Sequence, residues 1–166
     1  MMKDITIEKV TLNIGIGEAG EKVEKAAKLL AAITGRKVVK TKTMKRIPVW
    51  NLRPKLTIGC KVTLRGKEAE VLLKRLFKAI SNRLTARNFD NLGNFAFGVR
   101  EYIDIPEVNY DPTMGIIGLE AAVTLQRPGF RVKKRKTKKA KIGKKHLITK
   151  EEAIAYIQKE FGVEVE

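Results

Sequence analysis

Two stretches of the chain alternate apolar and polar residues with the period of a β-strand, and they constrain the fold more than any other feature. Residues 5–14 and 59–65 each place every second side chain in an apolar phase, with one change of phase in the first stretch, as at a bulge. The predicted buried side chains are Val10, Leu12, Ile14, Cys60, Val62 and Leu64. Asn13 and Thr63 then lie on the opposite phase, so the sheet is expected to have one covered face and one open, polar face.

Apolar residues at helical spacing occur between these strands. Residues 21–34 and about 67–86 carry apolar stripes, and Gly35 is the residue type that commonly ends a helix in the left-handed conformation. Thr149 and Glu152 form a capping-box pattern for a last helix. Further strands are expected over 37–43, 96–105 and 119–126.

The order strand, helix, strand, strand, helix, strand, strand predicts an α+β fold. It is a two-layer domain with a largely antiparallel sheet, helices on one face and an open basic face. At 166 residues the chain is expected to form one domain over 1–127, followed by a basic extension over 128–166 that ends in a short helix.

Positive charge is concentrated in two windows that contain no acid. The net charge is +17, and residues 25–67 and 121–150 lack Asp and Glu but carry thirteen and twelve Lys and Arg, respectively. Lysines that served solubility or growth at high temperature would be interspersed with acids. Segregated charge therefore indicates a binding face for a polyanion. Nucleic acid fits better than a membrane because no apolar run approaches the ~20 residues that span a bilayer.

The beginning of the sequence and its single cysteine predict a cytoplasmic location. The first ten residues, MMKDITIEKV, lack the apolar region of a signal peptide. One cysteine cannot form an internal disulfide.

Residues 15–20, GIGEAG, satisfy the GxGxxG pattern of a dinucleotide-binding turn. That fingerprint needs an acid about twenty residues further on, and this interval is free of acids, although Arg36 could serve an NADP enzyme instead. Glu21 and Glu24 would repel a pyrophosphate from the first turn of the helix. The glycines are therefore interpreted as a tight connection between strand and helix.

No set of residues indicates catalysis, a metal or a cofactor, and none is expected. His146 is the only histidine, and in its cationic setting it is expected to be exposed or to contact RNA. Cys60 lies on the apolar phase of its strand and is expected to be a buried thiol. Trp50 lies in a loop with Arg46 and Arg53, where it either stacks on bases or anchors the loop by burial.

Five blocks of sequence, in this order, resemble the family of large-subunit ribosomal protein L5. They are KVTLNIGIGEA (9–19), LAAITGRK (30–37), GCKVTLRG (59–66), NFDNLGNFAFGVRE (88–101) and IPEVNYD (105–111). The resemblance covers nearly the whole chain and is far more specific than GxGxxG. It implies a structural protein of the large ribosomal subunit that binds 5S rRNA and helps attach it to 23S rRNA in the central protuberance. Neighbouring 5S-binding ribosomal proteins would be further partners.

The resemblance also implies which residues bind RNA. Asn13 and Thr63 match the family's buried hydrogen bonds to 5S rRNA, and Arg36 stands where the family commonly has glutamine. The expected 5S rRNA-binding set is Asn13, Arg36, Lys37, Lys40, Lys42, Lys61, Thr63 and Arg65. The extension resembles the archaeal and eukaryotic form and is expected to clasp RNA and to be disordered when free. Its expected contacts are Arg131, Lys133, Lys134, Arg135, Lys136, Lys138 and Lys139.

Two loops match parts of the family that meet other partners. The loop over 43–57 matches the one that reaches P-site tRNA, and its expected contacts are Arg46, Trp50, Asn51 and Arg53. The loop over 106–118 resembles the part that meets a small-subunit head protein across the intersubunit bridge. Two other classes of protein stay open: a non-ribosomal RNA chaperone and an NADP-dependent enzyme that uses the glycine turn.

Overall fold

The strands and helices that the alternation and the helical spacing predict are present. A computed structural model describes residues 2–108, 110, 112 and 115–166. Its strands are β1 (Thr6–Gly15), β2 (Val39–Lys42), β3 (Thr57–Leu64), β4 (Arg83–Leu84), β5 (Phe95–Val99), β6 (Leu119–Gln126) and β7 (Glu164–Val165). Its helices are α1 (Glu21–Thr34), α2 (Lys67–Ala79), α3 (Arg131–Lys134) and α4 (Lys150–Phe161). The main sheet has the order β2-β3-β1-β6-β5, and β4 pairs in parallel with β7, so the α+β class with a largely antiparallel sheet is confirmed.

Two compact units divide the chain. The first unit contains Met1–Val10, Arg65–Phe97 and Ala122–Glu166, and the second contains Thr11–Leu64 and Gly98–Ala121. Strands β1, β5 and β6 each supply residues to both units. The predicted division into 1–127 and 128–166 concerns independent folding and stays a prediction.

The apolar phase of the two alternating strands is buried, as predicted. Val10, Leu12, Ile14, Cys60, Val62 and Leu64 are at most 5 % exposed. In the second unit, helix α1 packs on β3, and its buried residues are Val23, Ala26, Leu29, Leu30 and Ile33. Gly35 ends α1 with a left-handed φ of 63°, and its amide donates to the Ala31 carbonyl.

An aromatic cluster holds the first unit together. The Phe77 ring of α2 lies 5.5 Å from the Phe97 ring and 5.4 Å from the Phe161 ring of α4, between ring centres. The predicted capping box is confirmed, because the Thr149 hydroxyl accepts from the Glu152 amide while the Glu152 carboxylate accepts from the Thr149 amide. Helix α4 is therefore part of this core.

The extension differs from the prediction that it is disordered when free. Its last part contributes buried side chains to the first unit, namely Ile148, Ala153, Ile157 and Val163. Burial of these apolar groups offsets the entropy lost on ordering. The predicted disorder is therefore wrong for residues 148–163.

Helix α2 is shorter than the predicted range of 67–86. Ser81 and Asn82 have left-handed φ angles of 56° and 55°, which ends the helix. Leu84 is buried, as a helical stripe would require, but it belongs to β4. The apolar repeat therefore continues from α2 into β4, and the sequence pattern does not show where the helix ends.

Two strands are also shorter than predicted. Strand β5 ends at Val99, before the predicted end at 105, because residues 102–104 form a 3-10 turn. Strand β2 is confined to four residues, inside the predicted range of 37–43.

Gly59 lies where β1 and β2 leave no room for a side chain. A Cβ atom at this position would lie 2.7 Å from the Ile14 carbonyl oxygen and 3.0 Å from the Thr41 hydroxyl. We expect Gly59→Ala to lower the free energy of unfolding by about 1–3 kcal/mol, because the backbone must shift to admit a methyl group. Urea denaturation measures the change. Gly98→Ala is the matched control, since nothing lies within 4 Å of its added Cβ, and equal losses in the two variants would contradict the prediction.

Candidate nucleic-acid interface

The polar face of the second unit holds both residues that were expected to fix RNA by hydrogen bonds. The Thr63 and Thr11 hydroxyl oxygens lie 3.3 Å apart, and the Asn13 amide nitrogen donates to a Glu120 carboxylate oxygen at 3.4 Å. Hydrogen bonds are normally about 2.5–3.0 Å long between hydroxyl oxygens and about 2.7–3.2 Å long from N–H to oxygen, so both contacts are long and weak. Both side chains can therefore exchange their present partners for stronger ones on a ligand.

Cross-strand register separates the predicted cations of this region. Lys61 is two residues from Thr63 and shares its face, whereas Lys40 lies opposite Cys60 and so shares the buried phase of β3. Lys40 pairs with Glu24 of α1. The structure thus brings Lys61 to the polar face and places Lys40 on the other side of the sheet.

The remaining predicted cations of the second unit are exposed. Arg36 and Lys37 follow the end of α1, and Lys42 ends β2. Among the described residues, Lys37, Lys42 and Lys61 make no ion pair within 4.0 Å. Their charge is therefore available to a polyanion.

An open depression of about 420 Å³ adjoins Asn13. Gly98 and Gly118 line it without side chains, and Arg100 and Glu120 supply charged groups. Sequence reasoning missed Arg100 and Glu120, because both lie outside the acid-free windows. Their positions within the predicted strands over 96–105 and 119–126 are the sequence feature that could have pointed to them.

The loop between β2 and β3 presents its arginines together. Arg46, Asn51 and Arg53 line one depression of about 480 Å³. Trp50 is 67 % exposed, whereas Leu52 is 7 % exposed and anchors the loop through paired hydrogen bonds with Ile47. Of the two interpretations of Trp50, the structure excludes burial as an anchor and leaves its ring free to stack.

The predicted contacts of the extension lie on the first unit. They are exposed, and the Arg135 side chain donates to the Lys138 carbonyl at 2.7 Å. Lys134 differs from the others because it pairs with Glu8 of β1. In the described part of the chain, the cations of the set that make no ion pair are Arg131, Lys133, Arg135, Lys136, Lys138 and Lys139.

Glu8 is a nearly buried acid within this basic region. Its side chain is 8 % exposed and accepts a hydrogen bond from Arg65 at 3.2 Å as well as one from Lys134. Burial alone would raise the pKa of the Glu8 carboxyl, but the hydrogen bonds from Lys134 and Arg65 outweigh it and hold the pKa below its ordinary value of 4.5. The carboxylate therefore stays charged at neutral pH.

Arg127 has a structural role that sequence reasoning missed. Its side chain is 6 % exposed, and its guanidinium donates to the Leu147 carbonyl at 3.2 Å and to the Glu152 carboxylate at 2.8 Å. The pKa of Glu152 is lowered by the Thr149 amide and then by Arg127. Although it lies in the second acid-free window, Arg127 thus fixes Leu147 and Glu152 in position, and its buried charge is not available to a ligand.

His146 is less exposed than expected, and its contact with RNA stays a prediction. The ring is half-buried, its Nε2 lies 2.9 Å from the Pro128 carbonyl, and its edge packs on Phe130. The imidazole therefore links residues 128–130 to the end of the basic stretch that follows them. An exposed or RNA-contacting histidine had been expected.

The other motifs have structural explanations. Gly17 has a left-handed φ of 79°, and the amides of Ile16 and Gly17 donate to the Ile58 carbonyl, as a tight strand-to-helix connection requires. Cys60 is fully buried, and burial raises the pKa of its thiol. Within the described ranges, no cluster of three His, Cys, Asp or Glu could hold a metal, and no helix is long and apolar enough to cross a membrane.

The α+β fold, the polar sheet face and the exposed cations define a nucleic-acid-binding protein. Comparison with known proteins identifies the family. The model for ribosomal protein L5 matches residues 1–53, and the model for the C-terminus of the same ribosomal family matches residues 57–156. The chain belongs to the ribosomal protein L5 family.

Similar proteins are found in several archaea, and each is a large ribosomal subunit protein uL5. The protein from Nanoarchaeum equitans is 52% identical over 99% of this chain and 97% of its own length. The proteins from Methanococcus vannielii and Nitrosopumilus maritimus are 50% and 47% identical, over 99% of this chain and 92% and 95% of their own lengths. The resemblance to the archaeal form is thereby confirmed.

Family membership gives the general function. The chain is a structural protein of the large ribosomal subunit that binds rRNA, it is located with the ribosome in the cytoplasm, and it is not an enzyme. The primary class of this chain is therefore neither the NADP-dependent enzyme nor the non-ribosomal RNA chaperone.

Proposed function

We propose that the polar face of the second unit binds 5S rRNA and that the protein thereby helps attach 5S rRNA to 23S rRNA in the central protuberance. The observation that carries the proposal is the arrangement of Asn13, Thr63 and Lys61 on one sheet face. Two weakly paired hydrogen-bonding groups lie beside a cation with no ion pair in the described residues. Neighbouring 5S-binding ribosomal proteins complete the assembly.

Charge and hydrogen bonds have different roles in this proposal. Exposed Lys and Arg neutralise phosphates and release counterions, which gives affinity for any RNA. Asn13 and Thr63 fix the register through directional hydrogen bonds, which gives preference for one RNA shape. The depression beside Asn13 provides space for a nucleotide between Gly98 and Gly118.

The loop between β2 and β3 is proposed to contact P-site tRNA. Its support is the shared depression of Arg46, Asn51 and Arg53 and the exposed ring of Trp50. Arginines bind phosphates and an exposed indole packs on sugars or bases, so the tip suits a folded RNA surface.

The loop over 106–118 is proposed to contact a small-subunit head protein across the intersubunit bridge. Tyr110 and Ile116 are 57 % and 70 % exposed, and apolar groups of this kind favour a protein partner over phosphates. Residues 109, 111, 113 and 114 lie outside the described residues, so the proposal does not rest on them.

Removal of both hydrogen-bonding groups tests the 5S rRNA proposal. The double variant Asn13→Ala, Thr63→Ala is expected to bind 5S rRNA about 30-fold more weakly, since two net hydrogen bonds of roughly 1 kcal/mol each are lost. The slope of log K against log salt should hardly change, because no phosphate contact is removed. Filter binding across a salt series gives both quantities.

A matched pair of substitutions controls for general effects. Thr6→Ala with Asn91→Ala removes the same chemical groups from exposed positions of the first unit and should retain 5S rRNA affinity. Equal affinity of the test and control variants would refute the proposed role of the sheet face.

RNA extracted from the natively purified protein gives a second test, because a heterogeneous mixture without 5S rRNA would favour an RNA chaperone.

A further inference from the structure

Two exposed cations converge on the nearly buried carboxylate of Glu8. Arg65 follows the end of β3 and is 61 % exposed, and Lys134 ends α3 and is 48 % exposed, while the carboxylate that joins them is 8 % exposed. A solute in water therefore meets the two cations before it meets the acid. Each cation also keeps N–H donors beyond the one that Glu8 accepts.

Positive charge exceeds negative charge around this carboxylate. Lys9 and Lys133 line the same depression of about 130 Å³ as Glu8 and Lys134. One carboxylate is thus set against four cations, counting Arg65. The excess charge attracts an anion into this depression.

We propose that Arg65 and Lys134, held in position by the Glu8 carboxylate, form a seat for one RNA phosphate and that Glu8 is its positioning residue. The proposal rests on RNA binding by this family but not on 5S rRNA in particular. Arg65 and Lys134 are far apart in sequence, and long side chains of this kind lose much rotamer freedom when they converge on a ligand. A shared acceptor orients both before RNA arrives, so less entropy is lost on binding.

The direction in which Glu8→Gln changes RNA affinity distinguishes a positioning role of Glu8 from a simple effect of net charge. Removal of an acid from a basic surface should strengthen RNA binding if charge alone matters. If Glu8 positions the seat, one phosphate contact is lost, and the salt slope falls by about 0.7 to 0.9. Affinity at about 0.1 M salt then falls roughly five- to eightfold. The probes are 5S rRNA and a single-stranded RNA of mixed sequence, with binding followed by fluorescence anisotropy.

Glu24→Gln is the matched control, because it also removes an acid that is paired with a lysine, Lys40. Its affinity should equal or exceed that of the wild type. Binding by Glu8→Gln that equals or exceeds wild-type binding with the mixed RNA would overturn the phosphate seat.

A second background guards against a purely structural effect. In Lys134→Met the seat is already incomplete, so adding Glu8→Gln should leave the salt slope unchanged, whereas a further loss of the same size would overturn the proposal.

Failure of the 5S rRNA proposal would give a different result. In that case the wild type shows no preference for 5S rRNA over the mixed RNA, while the ratio between wild type and Glu8→Gln stays measurable with both.

Discussion

Arg127→Met is expected to lower the free energy of unfolding by about 3 kcal/mol, because it removes one partner of a buried ion pair while leaving the side-chain volume nearly unchanged. The variant leaves the Leu147 and His146 carbonyls and the Glu152 carboxylate without their present donor. The Glu152 side chain is 44 % exposed and can regain water, so the loss falls at the lower end of the range for buried pairs. Urea denaturation measures the change.

Arg131→Met is the control for this prediction, since Arg131 is exposed and makes no ion pair in the described part of the chain. It should change stability by less than about 0.5 kcal/mol. Titration of Glu152 by NMR gives an independent measurement in Arg127→Met. The pKa should rise toward its ordinary value of 4.5 but stay below it, because the Thr149 amide still donates. A loss of stability no larger than that of Arg131→Met would contradict the assigned role of Arg127.

Four lysines of the extension are expected to supply much of the affinity for RNA. They are Lys133, Lys136, Lys138 and Lys139. Changing all four to glutamine should lower the salt slope by about 3, since each lost phosphate contact removes roughly 0.7 to 0.9. At about 0.1 M salt this corresponds to a loss of affinity on the order of 10³-fold. Substitution is a better test than truncation after Gly129, because truncation would also remove buried residues such as Ile157.

A second set of four lysines separates the position of the charge from its amount. Lys3, Lys74, Lys78 and Lys159 are exposed and lie outside the acid-free windows. Glutamine at these four positions lowers the net charge by the same amount, yet the salt slope should change by less than about 1. Equal slopes for the two variants would show that the extension makes no special contact with RNA.

Alternation along the strands predicted the sheet and its polar face well, for a physical reason. The side-chain period of a strand is two, so Leu12 and Ile14 on the covered face determine where Asn13 points. The limits of the elements were less predictable. Helix α2 ends where Ser81 and Asn82 adopt left-handed angles, and neither residue type demands them.

The roles of individual charges depended on contacts that the sequence does not contain. Lys40 and Lys61 both lie in the first acid-free window, yet register sends Lys61 to the polar face and Lys40 toward Glu24. Arg127 and Lys133 share the second window, yet one is buried and the other exposed. Composition predicted the kind of partner, and packing decided which cations are available to it.

The composition of the first unit has a consequence for the order of folding during synthesis. Val10 of β1 lies in the same unit as Phe77 and Ile157, so its core takes residues from three distant parts of the chain. A ribosome makes the N-terminal part first, at about 5–20 residues per second, so Val10 is made roughly 7–30 s before α4 is complete. Until then the core of the first unit around Val10 stays incomplete. The interval before α4 is made is therefore the stage at which the N-terminal half of β1 is most prone to aggregate.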